Sequence, residues 1–250
     1  MVSGARWLQR GWVSWWRAVD ALVFPWECLV CGTEADVSPF CGDCRRELLE
    51  ASGMSCRRCA MPLGPWSDRS GGCFECRGRS LGFDGAIALG PYEGPIRDLC
   101  LRLKHERNAW IAPWLAELLV EARAEVRLGP EEACVVPVPL HWRRQWSRGY
   151  NQAEALARGL ADRLSLRLVR PLRRVTRTPP LARLGRTERA NLLRGAFRAE
   201  RSPALRGRTV LLVDDILTTG ATCGAAAREL KRAGAKRVVV VVVGRAGGKA

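Results

Sequence analysis

TVLLVDDILTTGATCGAAARELKRAGAKRVVVVVVG, residues 209–244, decides the fold. Two apolar runs, Val210–Val213 and Val238–Val243, lack the polar alternation of a half-exposed strand. They have the texture of strands buried on both faces. Between them, ATCGAAARELKRAGA (221–235) reads as a helix that stops near Gly234. The alternation continues toward the amino terminus. DGAIALG (84–90), ACVVPVP (133–139), LRLVRPL (166–172) and AFRAE (196–200) read as strands. PIRDLCLRLKH (95–105), WIAPWLAELLVEARAEV (110–126) and NQAEALARGLADRLSL (151–166) read as helices. The last repeats Leu156, Leu160 and Leu164 at helical spacing, with Asn151 and Glu154 placed as a capping box. This order predicts an α/β fold: a mostly parallel sheet with helices on both faces and ligands at the carboxyl ends of its strands.

Composition agrees. Of 250 residues, 47% are hydrophobic and 26% charged, enough apolar surface to exclude wholesale disorder. No uncharged stretch approaches the roughly 18 apolar residues of a membrane-spanning helix. Only two His are present, so His-based metal sites and triads are nearly ruled out, and any metal falls to the 11 Cys. The net charge of +16 is unevenly spread. Residues 137–208 carry +14 of it, and every basic residue there is Arg. Arg offers a planar fork of donors suited to phosphate oxygens, so the block points to a polyanionic partner. A plain solvated surface is the other reading.

Residues 1–27 predict an amphipathic helix. Trp12, Trp15, Trp16, Val19, Leu22 and Val23 share one face, while Arg6, Arg10, Arg17 and Asp20 interrupt every apolar run. Those charges, with no small-residue cleavage site after them, argue against an export signal and predict a cytoplasmic protein. In that reducing compartment paired Cys point to metal rather than disulfides.

Residues 28–80 hold four Cys-x-x-Cys pairs: Cys28/Cys31, Cys41/Cys44, Cys56/Cys59 and Cys73/Cys76. Each spacing turns two thiolates toward one ion, and two pairs complete a closed tetrahedron. The expectation is two structural Zn2+ sites whose metal supplies the folding free energy of this short segment. Spacing admits both the sequential pairing (28/31 with 41/44, 56/59 with 73/76) and an interleaved one. Cys100, Cys134 and Cys223 fall in apolar or helical contexts and read as core thiols.

The third segment, 81–250, carries the chemistry. VLLVDDILTTGAT (210–222) delivers Asp214 and Asp215 from a buried strand into a turn that opens a helix. Thr218, Thr219, Gly220, Ala221 and Thr222 supply hydroxyls and backbone N–H groups at a helix amino terminus, a phosphate cup. Carboxylates repel phosphate, so the acids serve another part of the ligand. A sugar diol fits, and the ligand so described is a ribose 5-phosphate.

This segment resembles the 5-phosphoribosyl 1-pyrophosphate (PRPP) motif of type I phosphoribosyltransferases. With the cysteine module, LVFPWECLVC, Tyr92, LRLKHERN and VPVPLHWRRQWSRGYNQAEALA, the chain resembles the ComF family, a double zinc ribbon joined to a phosphoribosyltransferase-like domain. The resemblance implies that Asp214 and Asp215 bind the ribose hydroxyls and residues 218–222 the 5-phosphate. Arg143, Arg144 and Arg148 would hold pyrophosphate, with Lys104 reaching the same region and Mg2+ bridging ribose and pyrophosphate oxygens. TRTPPLARLGRTERANLLRGAF (176–197) resembles the lid of this fold, but Leu181 stands where a Gln is usual and Asn191 is displaced. The implied activity is phosphoribosyl transfer. The alternative is a non-catalytic competence protein that binds single-stranded DNA, using Trp142, Trp146 and Tyr150 among the arginines and the PRPP site for regulation. Other competence proteins are further implied partners.

Overall fold

The computed structural model describes residues 26–35, 38–64, 67, 72–140, 149–176, 192, 193 and 195–247. The chain separates into two compact units, Met1–Glu47 and Leu48–Ala250. In the first, strands β1 (Trp26–Glu27) and β2 (Glu34–Ala35) pair antiparallel and lead into helix α1 (Gly42–Glu50). Residues 1–25 of the expected amino-terminal helix lie outside the described residues. Its last two positions, Trp26 and Glu27, are strand.

The second unit is built on β3 (Gly85–Pro91), α2 (Gly94–Arg102), α3 (Ala112–Ala122), β4 (Ala133–Pro137), α4 (Gln152–Leu164), β5 (Arg167–Leu168), β6 (Leu172–Arg174), β7 (Phe197–Ala199), β8 (Thr209–Leu217), α5 (Ala221–Arg232) and β9 (Arg237–Arg245). Five strands form one all-parallel sheet in the order β3-β9-β8-β4-β5. The two apolar runs of the sequence are its centre. Val238 and Val240–Val243 are fully buried, and Val213 of β8 lies beside Val241. Alternate residues face opposite layers. Val210, Leu212, Val238, Val240 and Val242 share one core with Ala226, Ala227 and Leu230 of α5, while α4 packs on β4 and β8 from the other side.

Two sequence expectations are modified. LRLVRPL is one run but two strands. β5 pairs with β4 through Arg167 and Leu168, and the chain then turns at Pro171, whose nitrogen has no hydrogen to donate to a ladder. Leu172–Arg174 pairs antiparallel with Phe197–Ala199, so AFRAE is a strand of this separate ribbon, not of the sheet. The cap of α4 is also half of what the pattern predicts. Asn151 accepts from the Ala153 N–H at 3.0 Å, but Glu154 receives Arg170 Nε at 2.8 Å instead of closing the box.

The second Cys cluster belongs to the unit that contains the sheet. Ala60 lies in the core beside Ala86 and Ala88, and the Ala86 N–H donates to Arg57 O at 3.1 Å. Helix α5 approaches the linker from this cluster very closely: a Cβ on Gly224 would lie 2.2 Å from Leu81 O. Ala in place of Gly normally gains about 1 kcal/mol in a helix interior. Here the collision is with backbone and outweighs that gain. Gly224→Ala is expected to lower unfolding stability by roughly 1–3 kcal/mol in a denaturant titration.

Candidate functional site

The sheet extends two residues beyond the acid pair. Ile216 and Leu217 still pair with Gly244 and Arg245, so Asp214 and Asp215 sit in the last turns of a central strand, and the loop proper is 218–220. Strand alternation sends the two acids to opposite faces. Asp214 lies toward α5, with Cys223 Sγ 3.9 Å from its Oδ2. Asp215, 7% exposed, lies toward α4, where Gln152 Nε2 donates to its Oδ2 at 3.4 Å. Each carboxylate also anchors backbone. Asp214 Oδ1 accepts from the Asp215 N–H at 2.9 Å and Asp215 Oδ1 from the Ile216 N–H at 3.0 Å. Burial first, then the neighbouring Asp215 charge, pushes the Asp214 carboxyl well above the ordinary carboxylate range.

Gln152 is a site residue that sequence reading passed over as a helix start. It is 4% exposed, and its Oε1 is buried with no hydrogen-bond partner among the described residues. An unsatisfied buried acceptor costs free energy, and this one stands beside an acid at the carboxyl end of the sheet.

The loop is arranged around its carbonyls. Arg245 Nη1 donates to Leu217 O at 3.1 Å and to Thr218 O at 2.8 Å, and Arg79 Nη2 to Thr219 O at 3.4 Å. In a planar trans peptide the next N–H points away from the carbonyl. The N–H groups of Thr218, Thr219 and Gly220 therefore face away from these guanidiniums, and none donates within the described residues. Gly220 has φ +80° and begins α5, whose first turn includes Ala221 and Thr222. The Thr218 side chain is exposed, and Thr219 Oγ1 accepts weakly from the Ala221 N–H at 3.4 Å.

Lys104 follows α2 and comes near this end. Its charge opposes the burial that raises the Cys100 thiol, and Cys100 Sγ lies 3.9 Å from Asp215 O. Arg143, Arg144 and Arg148, with Trp142 and Trp146, lie outside the described residues, as do 177–191 and 194 of the expected lid. A cavity of about 510 Å3 opens at the other end of the sheet, lined by Arg57, Gly85, Ile87, Arg237 and Val239. It touches the amino ends of β3 and β9, away from the acids.

The cysteines gather in the sequential pairing. Cys28, Cys31, Cys41 and Cys44 form one cluster and Cys56, Cys59, Cys73 and Cys76 the other, with the four sulfurs of each within 4.8 Å of one another. Tetrahedral thiolates at about 2.3 Å from zinc stand about 3.8 Å apart. Cys56–Cys76 is 3.7 Å, Cys59–Cys73 3.4 Å and Cys31–Cys41 3.7 Å. Electrostatics supports the fit. The Thr33 hydroxyl and backbone hold Cys31 down at about 6, and against the effect of burial the N–H groups of Cys73, Cys59 and Arg58 bring Cys56 to about 7. Burial, then the packed sulfurs, forces Cys44 upward; Cys59 is likewise raised, by burial first. Four thiolates so close need a cation, and the clusters fit two structural zinc sites. Cys100, Cys134 and Cys223 are buried thiols, as expected.

Comparison with known proteins adds matches to two domain families. Residues 19–77 match the model of the double zinc ribbon domain and residues 147–250 that of the phosphoribosyl transferase domain. Competence protein F of Haemophilus influenzae is 30% identical over 231 residues, which span 89% of this chain and 98% of that protein. DNA utilization protein YhgH of Salmonella typhi is 31% identical over 226 residues, 88% of this chain and 96% of that one. A shorter match joins 39 residues, 16% of this chain, to 21% of adenine phosphoribosyltransferase from Mycobacterium marinum at 56% identity. The class is thus a zinc ribbon protein with a phosphoribosyltransferase domain. Within it, the chain belongs to the ComF family, the family of Competence protein F. No helix among the described residues is long and apolar enough to cross a membrane.

Two outcomes follow from the electrostatics and burial of these groups. Between the usual carboxylate range and its raised value, folded Asp214 keeps a proton that the unfolded chain has released, so stability falls as pH rises through that window. Asp214→Asn is expected to raise the Tm at pH 8 by roughly 2–4 °C, the shift that about 1 kcal/mol gives a chain of this size. The difference should vanish toward pH 4. Zinc removal by a chromophoric chelator should be biphasic. The first cluster includes exposed Cys31, whereas all four Cys of the second are buried, so mutation of Cys31 to Ser should abolish the fast phase alone.

Proposed function

We propose that the strand–turn–helix at 214–222 binds PRPP and that the chain transfers or recognises its phosphoribosyl group. The observation that carries this reading is the run of three uncommitted amides, Thr218, Thr219 and Gly220, immediately after an acid pair and at the amino terminus of α5. These amides, the Thr218, Thr219 and Thr222 hydroxyls and the helix dipole are the donors for the 5-phosphate. Asp214 and Asp215 take the ribose hydroxyls. Gln152 ties Asp215 through its amide nitrogen and leaves Oε1 for a ligand hydroxyl. The raised Asp214 acid is suited to this task, since a hydroxyl can both donate to a carboxylate and accept from a carboxyl.

In transfer, the bond from the anomeric carbon to pyrophosphate breaks with its electron pair on the departing oxygen, and an acceptor nucleophile forms the new bond. Arg143, Arg144 and Arg148, with Lys104, are the cations assigned to the charge that grows on pyrophosphate. Mg2+, when bound, neutralises phosphate oxygens, and hard oxygen donors such as the Asp214 and Asp215 carboxylates at this strand end are compatible with it. The phosphoribosyl transferase domain match and the short match to adenine phosphoribosyltransferase support the assignment.

The names Competence protein F and DNA utilization protein YhgH carry the further proposal that the activity serves DNA uptake or use. With the Arg-rich block at 137–208 they also favour a second reading, a single-stranded-DNA-binding protein in which PRPP regulates. Titration with PRPP and Mg2+ tests the first. It should raise the Tm in a saturable way, by roughly 2.7 kcal/mol of linkage at a hundred times Kd, and Asp214→Ala with Asp215→Ala should abolish the shift. No shift at millimolar PRPP would sink the site assignment. Salt-sensitive oligonucleotide binding that persists in the double variant would then favour the second reading.

A further inference from the structure

The guanidiniums that hold the loop carbonyls are both rooted at the second Cys cluster. Arg245 Nε donates to the carbonyl of Cys59 itself at 2.7 Å, while Nη1 holds Leu217 O and Thr218 O. Arg79 follows Cys76 by three residues. Its Nη1 binds Glu75 O at 2.6 Å and the Glu75 carboxylate at 2.8 Å, and its Nη2 reaches Thr219 O. Arg58, between Cys56 and Cys59, closes the set by donating to Arg79 O at 2.8 Å and Cys76 O at 3.3 Å. Three successive carbonyls, Leu217 O at the strand's end and Thr218 O and Thr219 O in the loop, are thus fixed from the metal-binding knuckles.

Arg245 is the centre of this link. It is 4% exposed, and no carboxylate among the described residues pairs with it. A buried cation without a counter-ion is costly unless dipoles surround it. Here the dipoles are backbone carbonyls, so the same contacts that stabilise the charge fix peptide planes 217–218 and 218–219. Those planes aim the Thr218 and Thr219 amides. The position of Cys59 O in turn depends on whether Cys59 Sγ is held with Cys56, Cys73 and Cys76 by an ion.

We propose that Arg245 and Arg79 are positioning residues that couple zinc at Cys56/Cys59/Cys73/Cys76 to the phosphate loop at 218–222. Metal in this cluster presets the loop amides for phosphate, and its loss releases them. This rests on the reading of the loop as a phosphoribosyl site. The link is reciprocal: a phosphoribosyl ligand on the loop tightens the hold on zinc at the second cluster. The cluster at Cys28/Cys31/Cys41/Cys44, in the other unit, is the internal control.

The test uses the full chain loaded with two zinc ions. Hydrogen exchange of the Gly224 and Ala246 amides, whose acceptors Gly220 O (2.7 Å) and Leu217 O (3.0 Å) bracket the loop, is followed through the two phases of chelation. Protection of these two amides should survive the first phase and fall with the second. In Arg245→Met, whose side chain keeps bulk without donors, protection should already be low although both zinc ions are bound. In calorimetry, PRPP with Mg2+ should bind Arg245→Met and Arg79→Ala at least about fivefold more weakly than the parent, with Arg245→Lys intermediate. PRPP should also slow the second phase of zinc release, leaving the first unchanged. A purely structural role would not produce that ligand-dependent rate. Unchanged loop protection after the second phase, or unchanged PRPP affinity in both variants, overturns the coupling. If the parent chain fails to bind PRPP, the phosphoribosyl reading falls, and the exchange measurement still decides whether metal sets the loop.

Discussion

A peptide plane has two ends, and fixing one fixes the other. At residues 217–219 the carbonyls are held by buried or half-buried guanidiniums, and the amides are therefore presented the opposite way. The helix that follows cannot do this alone, because it orients the N–H groups of its own first turn and leaves those of Thr218, Thr219 and Gly220, which precede it, unset. The arginines supply that missing constraint. Much of the site's character follows from it: an anion-seeking face on the loop, a strand that runs on past the acids, and a Gly at 220 whose φ of +80° lets the chain leave the sheet and enter the helix.

The same constraint explains why the second Cys cluster is continuous with the sheet. A small Cys-rich segment folds around its metal because it has little apolar surface to bury. Once folded, its backbone is rigid at the knuckles, a better anchor for a long side chain than a surface loop would be. Arg123 makes a comparable staple elsewhere in the unit, with its Nε on Ala88 O and Nη1 on Gly53 O. The fold thus uses buried Arg as a multi-pronged clamp on backbone carbonyls. The planar guanidinium, with five donors in fixed directions, can do this where a Lys ammonium cannot.

These points mark what the sequence could and could not convey. The parallel sheet was legible because Val210–Val213 and Val238–Val243 have one reading in a chain that alternates strand and helix. The metal clusters were legible because thiolate spacing is local, though choosing the sequential pairing took the positions of the sulfurs. The acid pair and Thr-rich turn were legible for the same reason. Pro171 carried enough information to split LRLVRPL, since it lacks a donor, yet the run's apolar character masked it. Gln152 and Arg245 were not legible. Each acts across more than 60 residues of chain (Gln152 on Asp215, Arg245 on Cys59), and a contact of that separation leaves no periodicity or motif. A buried Gln at a helix start and an Arg ending a strand of Val residues are the only signs, both visible as polar residues where burial would exclude an unpaired one.

The acid pair itself is a compromise between stability and binding. Asp214 lies at the end of a buried strand beside a second acid, and burial first, then that neighbour's charge, holds its carboxyl well above the ordinary carboxylate range. Strand alternation relieves part of the strain by sending them to opposite faces, and each then satisfies a backbone N–H at the strand's end. What remains is a cost to folding with no return inside the protein: an acid pushed out of its normal range, and beside its partner a Gln oxygen with nothing to accept from. Groups left in that condition at the carboxyl end of a parallel sheet are the ones a ligand completes. In the proposed complex a polyhydroxyl ligand would supply what each lacks, a hydroxyl for Gln152 and for the acids, while the amide face of the loop would take the charge the acids could never accept. On the proposed phosphoribosyl reading, the loop held by the arginines and the unsatisfied oxygens correspond to the two halves of one ligand, an anion at one end and a diol at the other.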